Sequence, residues 1–102
     1  MNWNNPQTQR LVRALLALRT QDEMRRFLRD LLTEAEIAEF SKRFTAAEML
    51  TKKEPYSAIE RATGLSSTTV ARVSKWLKGR EGGYRKVISR LHGHSIPVAR
   101  GG

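Results

Sequence analysis

The sequence predicts an all-α, multi-helix fold, and three observations support this prediction. Apolar residues recur three and four positions apart in successive segments, which is the spacing of one face of a helix. Several of these segments follow a threonine or serine that has glutamate three positions later, the capping box that starts a helix. Between Tyr56 and Leu77 a glycine separates two short amphipathic segments, as it does in a helix-turn-helix motif.

The first two helices are predicted from an apolar stripe and a capping box. The first opens at Pro6 or Gln7 and continues as an apolar stripe over residues 8–19, which is typical of a packing helix. Thr20 and Glu23 then form a capping box, and apolar residues at helical spacing follow for about three turns. We expect residues 1–7 to form a flexible arm.

A third helix begins almost without a loop, because Thr33 and Glu36 form a capping box directly after Leu32. This helix should be the longest and should end before Pro55, which cannot continue it. Its apolar face is wider than one neighbouring helix would cover, which in so short a chain predicts a core shared by two subunits. The face consists of Ile37, Phe40, Phe44, Ala47 and Leu50, widened by Ala46 and Met49.

The helix-turn-helix motif is predicted over residues 56–77. Ser57 and Glu60 provide a capping box for its first helix, with the alternative that Tyr56 already lies inside that helix and packs on the third helix. Gly64 supplies the turn, since glycine adopts backbone conformations that other residues resist. The residues predicted to face inward between the two helices are Ile59, Thr63, Leu65, Val70 and Val73.

The second helix of the motif, over residues 67–78, has a polar face that suits DNA. Ser66 or Ser67 is its predicted N-cap, and Gly79 ends it. The outward residues are small, hydrogen-bonding or cationic, and none is acidic, which is the surface that a helix in a DNA major groove needs. These residues are Ser66, Ser67, Thr68, Ala71, Arg72 and Lys75.

A last helix is predicted over about residues 84–91, after a flexible join at Gly82 and Gly83. Its four apolar residues have helical spacing and would close over the core. Residues 92–102 contain glycines, a serine and a proline that break any period, so we expect a disordered tail. The predicted domain is therefore residues 8–91.

Charge and composition restrict the class of function. The net charge is +9, and residues 1–54 have 10 Lys and Arg against 8 Asp and Glu, whereas residues 55–102 have 9 against 2. This excess on and after the second motif helix predicts neutralisation of DNA phosphates, with a solvated cationic face as the alternative. Without cysteine, and with only two histidines, we expect no metal site and no cofactor. No apolar run approaches a membrane span, and residues 1–6 lack the charged-then-apolar pattern of a leader, so we expect a soluble, cytoplasmic protein that has no leader and does not contact membranes.

The first turn of the second motif helix would approach base edges most closely. Ser67, Thr68 and Arg72 are the predicted base contacts, and a bidentate pair between Arg72 and guanine is worth ~1 to 3 kcal/mol of discrimination. Later cations, and groups at the helix N-terminus, would meet phosphates and give affinity without sequence preference. The predicted phosphate contacts are Ser66, Lys75, Lys78 and Arg80.

These residues also have purely structural interpretations. Ser67 can be a helix cap only, and Arg72 can be a solvated arginine. Trp76 at helical spacing indicates a core or interface residue rather than a stacking platform. His92 and His94 fall in the predicted tail.

From about residue 31 to residue 91 the chain resembles the Trp repressor family, in particular its Trp-repressor-like branch of small YerC-type regulators. The resemblance rests on LLTEAEIAEFSKRF, on ATGLSSTTVARVSKWL and on the spacing between them. It implies an intertwined homodimer whose two DNA-binding motifs are related by a twofold axis. It also implies a palindromic operator in double-stranded DNA, with half-sites about one helical turn, ~34 to 36 Å, apart or a multiple of it.

The resemblance also bears on a ligand pocket. In tryptophan-binding members the indole lies between two arginines, at positions that match Arg43 and Arg72, and Thr33 matches the segment whose backbone helps hold the ligand's amino group. Val73 stands where those members have a glycine that makes room for the indole, and Trp76 replaces a serine one turn later. We therefore predict a vestigial pocket that the protein's own side chains fill, with L-tryptophan not acting as corepressor.

Three functions are compatible with these patterns. The first is a sequence-specific DNA-binding transcriptional regulator, a repressor, acting as a homodimer. The second is the DNA-binding head of a replication initiator or transposase, although such heads belong to longer chains and this chain is expected to be complete. The third is a basic structural or interaction module that binds an acidic partner, or nucleic acid without sequence specificity. We do not expect an enzyme, because no nucleophile with a base, no paired carboxylates and no phosphate-binding loop is evident.

Overall fold

The computed structural model describes residues 1–93, which form six α-helices and no strand. They are α1 (Pro6–Leu16), α2 (Gln21–Leu31), α3 (Glu34–Thr51), α4 (Tyr56–Thr63), α5 (Ser67–Leu77) and α6 (Gly83–Gly93). The all-α prediction is confirmed. Within residues 1–93, no helix combines the length and the apolar character that a membrane span requires.

The chain divides into two compact units. The first is Met1–Ile37, and the second begins at Ala38. In the first unit, the side chain of Asn5 accepts a hydrogen bond from the N–H of Gln7 at 2.8 Å. Helix α1 consequently begins at Pro6, one of its two predicted starts. Neither α1 nor α2 has a buried residue.

The capping box predicted before α2 is present. Thr20 Oγ1 accepts from the N–H of Glu23 at 3.1 Å, and the Glu23 carboxylate accepts from the N–H of Arg19 at 2.9 Å. Because this box already holds the backbone of Arg19, α1 ends at Leu16 instead of continuing to residue 19 as the apolar stripe predicted.

The join between α2 and α3 is also as predicted. The N–H of Thr33 donates to the Glu36 carboxylate at 2.9 Å, and the N–H of Glu36 donates to Thr33 Oγ1 at 3.1 Å. This reciprocal box leaves two residues between the helices. With 18 residues, α3 is the longest helix of the described chain.

Helix α3 ends at Thr51, and the prediction for the start of the next helix needs a correction. Pro55, with extended backbone, is the N-cap of α4, and no side chain caps that helix. The carbonyl of Pro55 accepts from the N–H of Ile59 at 3.2 Å, which places Ser57 inside the first turn. The predicted capping box of Ser57 and Glu60 is therefore wrong, and Tyr56 lies inside the helix as the alternative stated. The packing of Tyr56 on α3 stays a prediction.

The core of the second unit lies between α3, α4, α5 and α6. Helix α5 packs against both α4 and α6, so it is held from two sides. The five residues predicted to face inward are all buried, and Ser74 is buried beside them. The core residues are Ala46, Ala47, Ile59, Leu65, Val70, Val73 and Ile88.

Helix α6 differs from its prediction at its end. It runs through Gly93, two residues further than expected, and His92 Nε2 lies 3.2 Å from Glu48 Oε2 on α3. His92 is thus part of α6 and not of a tail. The rest of the predicted tail, including His94, lies outside the described residues.

Candidate nucleic-acid interface

The turn of the motif fixes how α5 leaves α4. Gly64 has a φ of +77°, in the left-handed region that favours glycine, and a Cβ at this position would meet no atom within 4 Å. The backbone conformation, and not a lack of space, is therefore what requires glycine. The hydroxyl of Thr63 donates to the carbonyl of Ile59 at 2.7 Å and accepts from the N–H of Leu65, which stabilises the turn from inside.

The start of α5 consists of a capping residue followed by exposed polar residues. Ser66 is the N-cap, since its side-chain oxygen accepts from the N–H of Thr69 at 3.2 Å. Its hydroxyl also lies 3.1 Å from Thr69 Oγ1. The interpretation that Ser67 is the cap is therefore wrong. Ser67 is the first residue of the helix, and its side chain is exposed.

The two faces of α5 differ as the sequence predicted. Val70, Val73 and Ser74 are buried against the neighbouring helices. The three predicted base contacts Ser67, Thr68 and Arg72 are exposed, and the structure places them on the outer surface of one helix. The outer face of α5 also has no acidic residue, so nothing on it repels a phosphate backbone.

The predicted phosphate contacts are exposed at both ends of α5. Lys75, Lys78 and Arg80 lie in its last turn or just beyond it. Sequence reasoning missed Arg85, whose guanidinium donates to the carbonyl of Leu77 at the end of α5. A cation here offsets the negative end of the helix dipole. Arg85 belongs to α6, and it reaches the end of α5 because α6 packs against α5.

The residues of the predicted vestigial pocket belong to both units. Thr33 lies in the first unit, where its N–H and hydroxyl both pair with Glu36. Val73 is fully buried in the core and Arg72 is exposed. Arg43 and Trp76, in contrast, do meet, because the guanidinium carbon of Arg43 lies 5.9 Å from the centroid of the Trp76 ring.

An open apolar groove of about 700 Å³ runs beside Trp76. The rings of Phe44 and Tyr84, in its wall, lie 6.4 Å apart and tilted by 37°. Burial raises the pKa of the Tyr84 hydroxyl above its usual value, and the positive charge of Arg43 partly opposes this shift. Trp76 is 48% exposed, so of its two predicted roles the core residue is wrong and the interface residue stays a prediction.

An all-helical unit in which a left-handed glycine joins two packed helices, the second with a cationic outer face, defines a helix-turn-helix protein. Residues 6–92 match the family described as Trp repressor protein. The chain belongs to the Trp repressor family, whose members are typically non-enzymatic regulators.

Two similar proteins support this membership. The uncharacterized protein YerC of Bacillus subtilis (strain 168) is 33% identical over 81 residues, which are 79% of this chain and 78% of that protein. A crystal structure of a TrpR-like protein from Eubacterium eligens ATCC 27750 superposes with a TM-score of 0.83 at 35% identity. That match covers 88% of this chain and 93% of the other.

Proposed function

We propose that this protein is a sequence-specific DNA-binding transcriptional regulator of the repressor type, which acts as a homodimer and does not use tryptophan as corepressor. The observation that supports this most is the outer face of α5. It is exposed, without acidic residues, and fixed by Val70 and Val73 in the core beneath it. A rigid helix with such a face can enter a major groove without reorganising.

The residues of this face divide into two roles. Ser67 and Thr68 lie in the first turn of α5 and Arg72 one turn later, so these three are the proposed base contacts. The hydroxyl of Ser66 is already hydrogen-bonded to Thr69. Ser66 would therefore contact a phosphate through the backbone N–H groups at the helix N-terminus. The cations at the other end, Lys75, Lys78 and Arg80, are the proposed phosphate contacts.

Apolar surface left uncovered in one chain supports a homodimer. In the first unit, Leu16 is 79% exposed and Leu31 47%, and α1 and α2 contribute nothing to the buried core. Two amphipathic helices that bury none of their apolar residues within one chain are typical of a surface that another protein covers. A second copy of the chain would also supply the second motif that a palindromic operator requires.

The proposal that tryptophan is not the corepressor rests on two side chains. Val73 has no exposed surface and belongs to the core, so the space that a glycine would leave there is filled. Trp76 places its own ring near Arg43. A free indole would therefore have to displace a ring that the protein already holds at this arginine.

The decisive experiment is enrichment of random duplexes by the full chain, followed by sedimentation of the complex. We expect a palindromic consensus, and a complex that contains two protein chains per duplex. The specific-regulator proposal fails if no consensus emerges, because tight but indiscriminate binding would indicate a non-specific nucleic-acid module.

The phosphate contacts predict how binding depends on salt. Replacing both Lys78 and Arg80 with alanine should weaken binding to the enriched duplex and to a scrambled duplex by the same factor. It should also make the negative slope of log K against log salt less steep, by about 1 for each phosphate that a subunit no longer neutralises. Binding isotherms at several salt concentrations measure this slope. Lys42→Ala, which removes an exposed cation on α3, is the control, and an equal change in that variant would contradict the assignment.

A further inference from the structure

Arg43 and Trp76 connect the DNA-binding helix to α3. Trp76 lies in the last turn of α5, and the guanidinium carbon of Arg43 on α3 lies 5.9 Å from its ring centroid. A guanidinium within about 6 Å of an indole face is attracted by the ring quadrupole, and tryptophan gives the strongest attraction of this kind. We refer to this pair as the Arg43–Trp76 contact.

Arg43 is restrained by two further groups. Its Nε lies 3.3 Å from Glu39 Oε2, one turn earlier on α3. Its guanidinium carbon lies 5.8 Å from the ring centroid of Phe40. Because a carboxylate and a second ring already limit its rotamers, Arg43 loses little additional conformational entropy when it meets an indole.

Burial does not account for tryptophan at position 76. Val70 and Val73, on the same helix, are fully buried, whereas Trp76 is half exposed. A large apolar side chain that remains half exposed gains only part of the free energy that burial would supply. The contact with Arg43 is the interaction that a smaller or aliphatic residue at this position would lack.

We propose that Trp76 is a positioning residue for DNA binding, whose contact with Arg43 holds the last turn of α5 against α3 and so orients Ser67, Thr68 and Arg72. The protein supplies its own ring at Arg43, and the orientation of α5 consequently requires no external aromatic effector. This inference rests on the proposed function, because it concerns the same helix. The contact itself is measurable without DNA.

The first test is the fluorescence of Trp76 in the free protein. In a Trp3→Phe background, Trp76 is the single tryptophan. Arg43→Met keeps the aliphatic part of the side chain and removes the charge, so it should raise the acrylamide quenching constant of Trp76. Lys42→Met removes a neighbouring exposed charge from the same helix and should leave the quenching constant unchanged.

The second test is a double-mutant cycle on affinity for the enriched duplex. Arg43→Met and Trp76→Ala should each weaken binding about two- to fivefold, the range that an exposed cation–π contact supplies. The double variant should be no weaker than the weaker single variant, since both remove the same contact. Trp76→Phe, which retains a ring, should keep most of the affinity. Val87→Ala, an equally exposed apolar residue of the same groove, is the control and should bind as the natural protein does.

Each outcome decides the inference. It is overturned if the double variant loses the product of the two single-variant factors in affinity. It is also overturned if Val87→Ala weakens binding as much as Trp76→Ala, or if Arg43→Met leaves the quenching constant of Trp76 unchanged. If Trp76→Ala does not fold, Trp76→Leu replaces it in the cycle with the same expectation. An absent consensus with the quenching change intact refutes the proposed function, whereas a clear consensus with unaffected variants refutes this inference alone.

Discussion

Arg72→Ala should remove most of the preference of this protein for its operator while changing its affinity for unrelated DNA far less. The side chain is exposed on the outer face of α5, one turn after Thr68. From there a guanidinium can pair with a guanine edge through two hydrogen bonds, a contact worth ~1 to 3 kcal/mol, or about 5- to 150-fold in affinity. Competition between the enriched duplex and a scrambled duplex measures the preference.

Lys75→Ala is the matched control for this prediction. Lys75 is an exposed cation on the same helix, three positions further on, so its removal costs the same charge. As a phosphate contact it should weaken binding to both duplexes by one common factor. If Arg72→Ala behaves in that way too, Arg72 is a second phosphate contact and the base contacts lie elsewhere on α5.

Val73→Gly should lower the free energy of unfolding by about 2.5 to 4 kcal/mol and should not create a tryptophan site. Val73 has no exposed surface, and burial of a valine side chain contributes ~1.5 to 3 kcal/mol. Glycine inside a helix costs about 1 kcal/mol more than alanine. Chemical denaturation measures the stability, and calorimetry with L-tryptophan measures the binding.

Ala71→Gly separates the two components of that destabilisation. Ala71 is exposed two positions earlier on α5, so its replacement should cost only the helix propensity of about 1 kcal/mol. A Val73→Gly variant that is no less stable than Ala71→Gly, and that binds L-tryptophan saturably, would mean that residue 73 borders a ligand pocket and not the core.

The motif was predictable in detail because its signals are local. The turn at Gly64, a cap at Ser66 or Ser67 and the inward positions of Val70 and Val73 each follow from residue type and spacing within about ten residues. The same holds for the capping box of Thr33 and Glu36. Contacts this close in sequence leave the chain few alternatives.

Other predictions failed where two local signals competed. Ser57 with Glu60 matched the capping box, but Pro55 cannot continue a helix and already has the extended backbone of an N-cap. The helix therefore starts directly after Pro55, at Tyr56, and Ser57 lies in its first turn. At the end of α1, the box of Thr20 and Glu23 likewise overrode an apolar stripe that continued past Leu16.

By itself, the sequence determined the helical class, the two helices of the motif and the faces that α5 buries and exposes, because helix periodicity and caps act over one or two turns. The tertiary structure alone decided how closely the guanidinium of Arg43 approaches the ring of Trp76, that Trp76 stays half exposed and that Arg85 reaches the end of α5. These contacts join residues of different helices, and their geometry depends on how those helices pack. No pattern of spacing within one helix encodes that packing angle.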